Sequence, residues 1–431
     1  MKNKVLLSAA VAGAGLLLQS LIAFAPSTGM RSYDQALRPS VIEDKKFHVR
    51  VTGETLTAAR AYDINSRRSD VLSIYDEKGQ ATIESLLRPT PGTAAAAGAQ
   101  AELARMRFPA DDGVRGHVKL AGGYNEVSIM PNIGARVELK GMPGAFGVDL
   151  HVPIVRKQVN VLSMIDQTRV DTDPLFQPLF DPFVAARVAV WPATLQTLGN
   201  LGTERVTTTG LGDAAVMLSW RNYFVQDKEL IKGVELFAQV GLSMPTGKER
   251  DEDQAFSMAL GGDGAFGVPV GLGLNIDFVN TLRAGLNVDF LAYLDKTRLR
   301  RLKTGSAQSE LFLLNKGKAL CDHGLNWQFY LYAQSYHFVG GLSAKAAYQY
   351  LRHDTDKFSP RDSNFTYDVI NSAKRLTEWY AHNIILSLDY DHLGSDDHLV
   401  VPQLGIFYKF PVGGKAVVAM QSVGVNMGVN F

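Results

Sequence analysis

The residues best suited to acid–base chemistry are the nine histidines, and their placement argues against a shared active site. A Ser–His or Asp–His centre needs its side chains within hydrogen-bond reach of one another. His382 has the opposite strand parity to Ser387 and Asp389, so it points away from both. Most others fall at strand ends or in loops, among them His151, His323, His337, His353, His392 and His398. We predict no catalytic residue and no enzyme. A hydrolase is the third of the three functions considered for this chain, after the two given at the end of this section.

An acidic run, Glu249-Arg250-Asp251-Glu252-Asp253, is the segment that could bind a divalent cation. It lacks the spaced carboxylates and central glycine of a calcium loop, so a solvated loop is the simpler interpretation. The single cysteine, Cys321, cannot form an internal disulfide and is interpreted as a buried or loop thiol. We predict no metal and no cofactor.

Two other loop segments could contact a ligand. A basic run could bind lipopolysaccharide phosphates or an anionic solute, or be a simple exposed charge run; it consists of Arg298, Arg300, Arg301 and Lys303. A long loop carries Phe176, Phe180 and Phe183. Because exposing an apolar stretch to water is costly, we expect this loop to fold inward and to narrow a pore or contact a hydrophobic ligand.

The elements that must position these residues are strands with a period of two. In the last segment Val423, Val425, Met427, Val429 and Phe431 share one face, while small and polar residues share the other. This pattern is typical of a strand between lipid and water, with an edge strand of a sandwich as the alternative. A final aromatic residue resembles the insertion signal of bacterial outer-membrane barrels. We assign an assembly role to Phe431, Val429 and Met427.

Similar alternation predicts about twelve strands within residues 114–431. They are 116–124, 127–139, 145–155, 210–222, 234–244, 266–276, 282–292, 325–336, 340–351, 380–391, 400–410 and 416–431. Each is about 9 to 16 residues long, enough to cross a bilayer at a tilt. Their polar parity predicts a lumen lined by Asp213, Arg221, Glu235, Gln239, Arg283, Asn287, Asp289, Lys345, Gln349, Asp389, Gln403 and Lys409.

Loop lengths give a separate test of this strand assignment. If Phe431 lies on the periplasmic side, the long connections all fall on the outer face, at residues 157–209, 246–262, 294–323 and 352–377. No long loop falls inside. Long outer loops with short inner turns are the rule for outer-membrane barrels, so the sequence predicts an all-β, closed antiparallel transmembrane barrel.

The amino-terminal region divides into two parts. Residues 1–25 combine Lys2 and Lys4 with an apolar run, which predicts a cleaved signal peptide; an uncleaved anchor is the alternative. Residues 26–113 are irregular. Residues 47–51 and 70–75 could form an extra hairpin and raise the count to fourteen strands, and residues 81–88 read as a short helix. This segment could fold into the lumen as a plug or remain a periplasmic tail.

Composition excludes one class of partner and fits another. The net charge of +1 argues against nucleic-acid binding. Hydrophobic residues at 46% give an ordinary average, as expected when half of each strand faces water. The expected partners are outer-membrane lipid and lipopolysaccharide, the barrel-assembly machinery and a small-molecule solute, and the expected location is the outer membrane.

Two short motifs carry a family resemblance. They are Thr209-Gly210-Leu211-Gly212-Asp213 at a strand start, and Leu242-Ser243-Met244-Pro245-Thr246-Gly247 at the end of the next strand. In order and spacing they resemble the outer-membrane proteins of the phenol meta-pathway degradation family, which are related in shape to long-chain fatty-acid channels. The resemblance is strongest over residues 209–250. The resemblance implies passive uptake of small hydrophobic or aromatic compounds.

We therefore expect an outer-membrane channel for small, hydrophobic or aromatic solutes. The alternative is a non-transporting barrel, an adhesin or structural protein, that acts through its external loops. For Asp213, we expect a structural ion pair with Arg283 or Lys345 across the lumen rather than a contact with the solute.

Overall fold

The computed structural model describes residues 26–34, 45–75, 81–82, 101, 117–166, 192–193, 195–279, 281–306, 308, 312–391 and 400–431. Three predictions fall outside these residues in whole or in large part. They concern the signal peptide at 1–25, the loop with Phe176, Phe180 and Phe183, and the helix at 81–88.

Strands dominate the fold, as the alternating sequence predicts. In chain order they are β1 (Phe47–Ala58), β2 (Arg60–Tyr62), β3 (Arg68–Asp70), β4 (Ala81–Thr82), β5 (His117–Glu138), β6 (Ala145–His151), β7 (Ile154–Asp166), β8 (Val206–Leu211), β9 (Ala214–Val225), β10 (Ile231–Met244), β11 (Gly267–Phe278), β12 (Leu282–Tyr293), β13 (Lys296–Arg301), β14 (Lys316–Asp322), β15 (Asn326–Val339), β16 (Leu342–His353), β17 (Lys357–Pro360), β18 (Trp379–Asp391), β19 (Val401–Lys415), β20 (Val417–Val418) and β21 (Gln421–Asn430). Helical segments include α1 (Tyr367–Asn371) and the 3-10 helices Val71–Ser73 and Lys374–Leu376. Among the described residues, no helix is both long and apolar enough to cross a membrane.

Twelve of the strands close into an antiparallel barrel, which confirms the predicted fold class. The order around the wall is β1, β21, β19, β18, β16, β15, β12, β11, β10, β9, β6 and β5. β1 closes the barrel because it pairs with β5 on one side and with β21 on the other. Closure removes the exposed sheet edges that would otherwise attract other chains.

The first part of the wall differs from the prediction. The two strands predicted at 116–124 and 127–139 are replaced by one strand of 22 residues, β5, because β1 and β7 pair with residues 125–126 from both sides. The twelfth strand is β1, so the wall begins at Phe47 and not at residue 114. The hairpin of residues 47–51 with 70–75 does not form, since residues 71–73 are a 3-10 helix. The count stays at twelve.

Two wall strands are interrupted and continue outward. β6 and β7 follow one another along β5 with a break at Val152 and Pro153. β8 and β9 follow one another in the next row with a break at Gly212 and Asp213. The sequence predicted one uninterrupted strand in each case, so the extensions β7 and β8 are an addition to the predicted twelve.

The two faces of the wall have opposite chemistry. In β21 the outward Val423 and Met427 are 57% and 54% exposed, whereas the inward Asn426 and Asn430 are 2% and 1% exposed. An apolar outer surface around a polar interior is the arrangement of a barrel that sits in lipid.

The long connections lie at one end of the barrel, here called the outer end, and the short turns lie at the inner end. At the outer end β13, β14 and β17 form a small sheet, whose core includes Leu302, Phe358 and the buried thiol of Cys321. A second small sheet, β2, β3 and β20, packs beside a larger apolar cluster that includes Leu72 and Phe256. The connections thus form a packed cap with its own apolar core.

Candidate functional site

Residues 26–34 cross the interior of the barrel. Four wall strands hold them through the hydrogen bonds Met30 N to Glu54 Oε2 at 2.8 Å, Lys409 Nζ to Thr28 O at 2.6 Å, Gln239 Nε2 to Tyr33 O at 3.3 Å and Gln328 Nε2 to Asp34 Oδ1 at 2.6 Å. Because β1, β19, β10 and β15 lie on different sides of the wall, the segment lies within the lumen. This is the position of the proposed plug.

Charged residues brace the inner half of the lumen. Glu235 binds Arg221 at 2.7 Å and Arg283 at 3.7 Å, and Arg283 also binds Asp277 at 2.6 Å. These side chains come from four adjacent strands, β9 to β12, so they link the wall laterally. Opposite charges of this kind neutralise one another, and these four side chains do not form a ring of a single sign.

The other predicted lumen residues also lie on the buried parity. Their contacts include Asp289 with Gln239 and Gln328 at 3.3 Å, Gln349 with Tyr330 at 2.6 Å, Lys409 with Glu54 at 3.0 Å, Asp389 with Ser387 at 3.2 Å, Gln403 with Asn430 at 2.9 Å, and Lys345 with the Tyr332 ring at 5.1 Å. Asn287 is buried beside Gly273. That they line a conducting path stays a prediction.

Asp213 joins the two sequence motifs at the break between β8 and β9. Its carboxylate accepts hydrogen bonds from the backbone NH groups of Gly247, at 2.9 Å, and Gly262. The Thr246 hydroxyl donates to the Gly212 carbonyl at 2.8 Å and accepts from the Ala214 NH at 2.9 Å. The expected pairing of Asp213 with Arg283 or Lys345 is therefore wrong. The carboxylate instead ties an outer connection to the wall, because the break brings backbone donors closer than any lumen cation.

A cavity of about 240 Å³ lies at the outer end of the lumen, against residues 26–33. We call it the vestibule. Its apolar lining includes Met30, Val155, Leu260, Leu291, Tyr293 and Trp379. Its polar lining includes Arg31, Glu126, Lys157, Asp213, Ser243 and Arg352. Concave sites with mostly apolar walls and a few polar groups are the usual form of small-molecule sites.

The acidic and basic runs pair with each other beside this vestibule. Arg300 binds Glu252 at 3.0 Å and also Asp263, and Arg301 binds Asp253 at 3.1 Å. All four members of the basic run are at most 7% exposed. The interpretation of the basic run as an exposed charge run is therefore wrong, because it packs against the acidic connection. The acidic run is solvated at Glu249 and Asp251, as expected, while Glu252 is withdrawn into the contact with the basic run.

Glu252 shows how strong this pairing is. Burial alone would raise its pKa, but Arg250, Arg300 and the backbone NH of Arg301 outweigh burial and lower the pKa to about 2. The carboxylate is thus held in its charged form well below neutral pH. The paired runs act as a lock between two outer connections.

Sequence reasoning missed several residues of the vestibule. Lys157 lies on the inward parity of β7, after Val155, where the predicted strand had already ended. The alternation of Val155, Lys157 and Val159 could have revealed it. Tyr33 and Arg31 carry no such signal, because they lie in an irregular segment.

Comparisons with known proteins support the fold. No family model matches the sequence. No curated protein matches it either. The chain is similar to the structure of the COG4313 outer membrane channel from Pseudomonas putida F1, with 10% identity over 92% of this chain and 99% of that one and a TM-score of 0.51.

Two further structures share less of the shape. They are the Pseudomonas putida toluene transporter TodX, with 7% identity over 93% and 90% of the two chains and a TM-score of 0.30, and a Pseudomonas aeruginosa FadL homologue, with 10% identity over 90% of each and a TM-score of 0.29. Scores this low do not establish a common fold. The first similarity shows the fold, an outer-membrane barrel, and agrees with the resemblance in shape stated from the sequence.

Proposed function

We propose that the protein is an outer-membrane channel for the passive uptake of small hydrophobic or aromatic solutes. The observation that carries the proposal is the vestibule, a cavity of about 240 Å³ inside a closed barrel with aromatic and aliphatic walls. A solute taken up there loses contact with water and gains contact with Leu291, Tyr293 and Trp379.

We propose further that residues 1–25 act as an export signal and that the barrel resides in the outer membrane among lipid and lipopolysaccharide. In this proposal the barrel-assembly machinery inserts it. Residues 26–34 narrow the path below the vestibule, so a solute passes when this segment moves. Phe176, Phe180 and Phe183 remain candidates for solute contact from the outer loop.

Liposome swelling tests the channel. Proteoliposomes are challenged with phenol, with a pentose sugar of similar size and with a long-chain fatty acid, and phenol is expected to enter fastest. Ser243→Trp places a large side chain in the vestibule wall and should slow phenol several-fold. Leu242→Trp, on the exposed face of the same strand, is the matched control and should leave the rate unchanged. Absence of permeation by every solute would refute the channel.

A second candidate function rests on the outer cap. Its connections pack on their own apolar cores, around Leu302 and Phe358 in one part and Leu72 and Phe256 in another. A rigid cap is what an adhesin or structural barrel would present. That function predicts no permeation by any solute, so the swelling assay separates it from the channel.

A further inference from the structure

The acids that border the vestibule already have donors. Glu126 accepts from the Ser27 hydroxyl at 2.8 Å and from the Tyr124 hydroxyl. Asp213 accepts from the NH groups of Gly247 and Gly262. A carboxylate with its donors in place gains little from a bound cation or hydroxyl group. The acids of the vestibule are therefore structural.

The cations of the vestibule are not all balanced in this way. Arg352 is engaged by Asp354 at 2.9 Å and Glu378 at 2.7 Å. Lys157 is half-buried in the lining, and in the described part of the chain no hydrogen bond or ion pair engages its ammonium. The Nη1 atom of Arg31 is buried, and it has no hydrogen-bond partner among the residues that the structure describes.

This imbalance favours an anion. The Arg31 guanidinium is partly neutralised by Asp34, at 3.6 Å. Two acids lie near Lys157. Glu126 is its partner in the ladder of β5 and β7 and accepts hydrogen bonds from Ser27 and Tyr124, and Asp213, on which the charge of Lys157 acts, accepts from backbone NH groups. A bound carboxylate would give the Lys157 ammonium a charge-assisted hydrogen bond that no described residue supplies. Among the described residues of the vestibule, Lys157 is thus a cation without a direct ion pair beside apolar walls.

Volume limits the rest of the ligand. A protein cavity of about 150 Å³ holds benzene, and the vestibule measures about 240 Å³. One substituted aromatic ring fits this volume, and an extended fatty-acid chain exceeds it. Tyr293 and Trp379 supply aromatic surfaces against which a ring can pack.

We propose that the vestibule binds small aromatic carboxylates, with the carboxylate on Lys157 and the ring against the apolar wall formed by Leu291 and Tyr293. This inference rests on the proposed channel and names its solute class. Lys157 is then a specificity-determining residue, since it distinguishes an anionic ring compound from a neutral ring compound of the same shape.

Binding is measured by isothermal titration with the full-length protein in non-ionic detergent. The probes are benzoate and benzamide, which share a ring and differ in charge. We expect benzoate to bind at least ten times more tightly than benzamide. Lys157→Gln should remove this preference by weakening benzoate about tenfold, or about 1.4 kcal/mol, while benzamide binding is retained.

Two variants control for charge and for folding. Arg156→Gln removes a neighbouring cation on the exposed face of β7 and should keep the preference for benzoate. Lys157→Arg keeps the charge and should also keep it. Retained benzamide binding shows that the Lys157→Gln barrel has folded with an intact vestibule.

Equal affinity for the two probes, or a preference that survives Lys157→Gln, overturns the inference. Phenol permeation in the swelling assay is a separate readout. If phenol enters while benzoate shows no Lys157-dependent binding, the solute class is wrong and the channel stands. If benzoate binds through Lys157 while no solute enters, the channel is wrong and the binding site stands.

Discussion

At the scale of single residues, the two motifs at residues 209–213 and 242–247 stabilise the fold and are not seen to form a solute site of their own. At the break between β8 and β9, the Thr246 hydroxyl bonds the Gly212 carbonyl and the Ala214 NH, and the Asp213 carboxylate accepts from the NH groups of Gly247 and Gly262 in the outer connection. A break in the wall interrupts the ladder, and buried backbone groups that lose a ladder partner need another hydrogen-bond partner. The motifs therefore mark a fold feature, and they do not by themselves identify the solute.

Replacing Asp213 should loosen this junction. Asp213→Asn sets an amide where two backbone NH groups need an acceptor, and we expect a loss of about 1 to 3 kcal/mol in the stability of the outer connections. Proteolysis of the folded barrel at residues 245–263 measures it, and cleavage should become faster. Asp227→Asn, in an exposed inner turn, is the control. Unchanged cleavage would show that the Asp213 bonds add nothing.

The pairing of Glu252 with the basic run predicts that the stability of the outer connections depends on pH. A carboxylate whose pKa falls from 4.5 to about 2 on folding stabilises the folded state above pH 4.5, and this contribution is lost as the pH falls towards 2. Glu252→Gln should therefore lower the hydrogen-exchange protection of residues 245–263 at pH 6, and the difference from the native chain should vanish near pH 2. The exposed Glu229→Gln should show no difference at either pH. A difference that stays constant with pH would contradict the lock.

At the scale of elements, alternation predicted most strands and missed those whose identity depends on distant partners. The wall strands from β10 to β18 begin and end close to their predicted bounds, because each carries its own apolar and polar parity. The last hairpin differs, since β19 continues to Lys415, through the turn predicted after residue 410, and β21 begins only at Gln421. The sequence predicted two strands in place of β5, because Asn125 and Glu126 resemble a turn. In the structure, β1 and β7 pair with these two residues. The charge lock was missed for the same reason: pairing between two loops is not visible in either loop.

The plug element predicts a change in conductance. Residues 26–34 fill the lumen between β1, β10, β15 and β19, so deleting them should raise single-channel conductance in planar bilayers. Heat-modifiable migration on gels shows whether the barrel has formed without them. An assembled barrel with unchanged conductance would mean that the path does not pass this segment.

At the scale of the whole molecule, closure depends on contacts between the two ends of the wall. β1 and β21 pair along most of their length, and Phe47 and Phe431 exchange backbone hydrogen bonds of 2.8 and 2.9 Å. Their rings stack at 6.0 Å on the exposed face. Phe431, directly after β21, is thus part of the closing seam, and we expect it to act with Val429 and Met427 as the aromatic assembly signal.

Removing Phe431 should lower the yield of assembled barrel, because both the seam contact and the aromatic signal are lost. The yield is measured as heat-modifiable protein in outer-membrane fractions. Phe431→Tyr keeps the ring and should assemble normally, whereas Phe431→Ser should resemble the deletion. Phe338→Ser removes another exposed aromatic side chain near the inner end and should assemble normally, since it lies away from the seam. If Phe431→Ser and Phe338→Ser lower the yield equally, the effect is a general loss of interfacial aromatic surface and the special role of Phe431 is refuted.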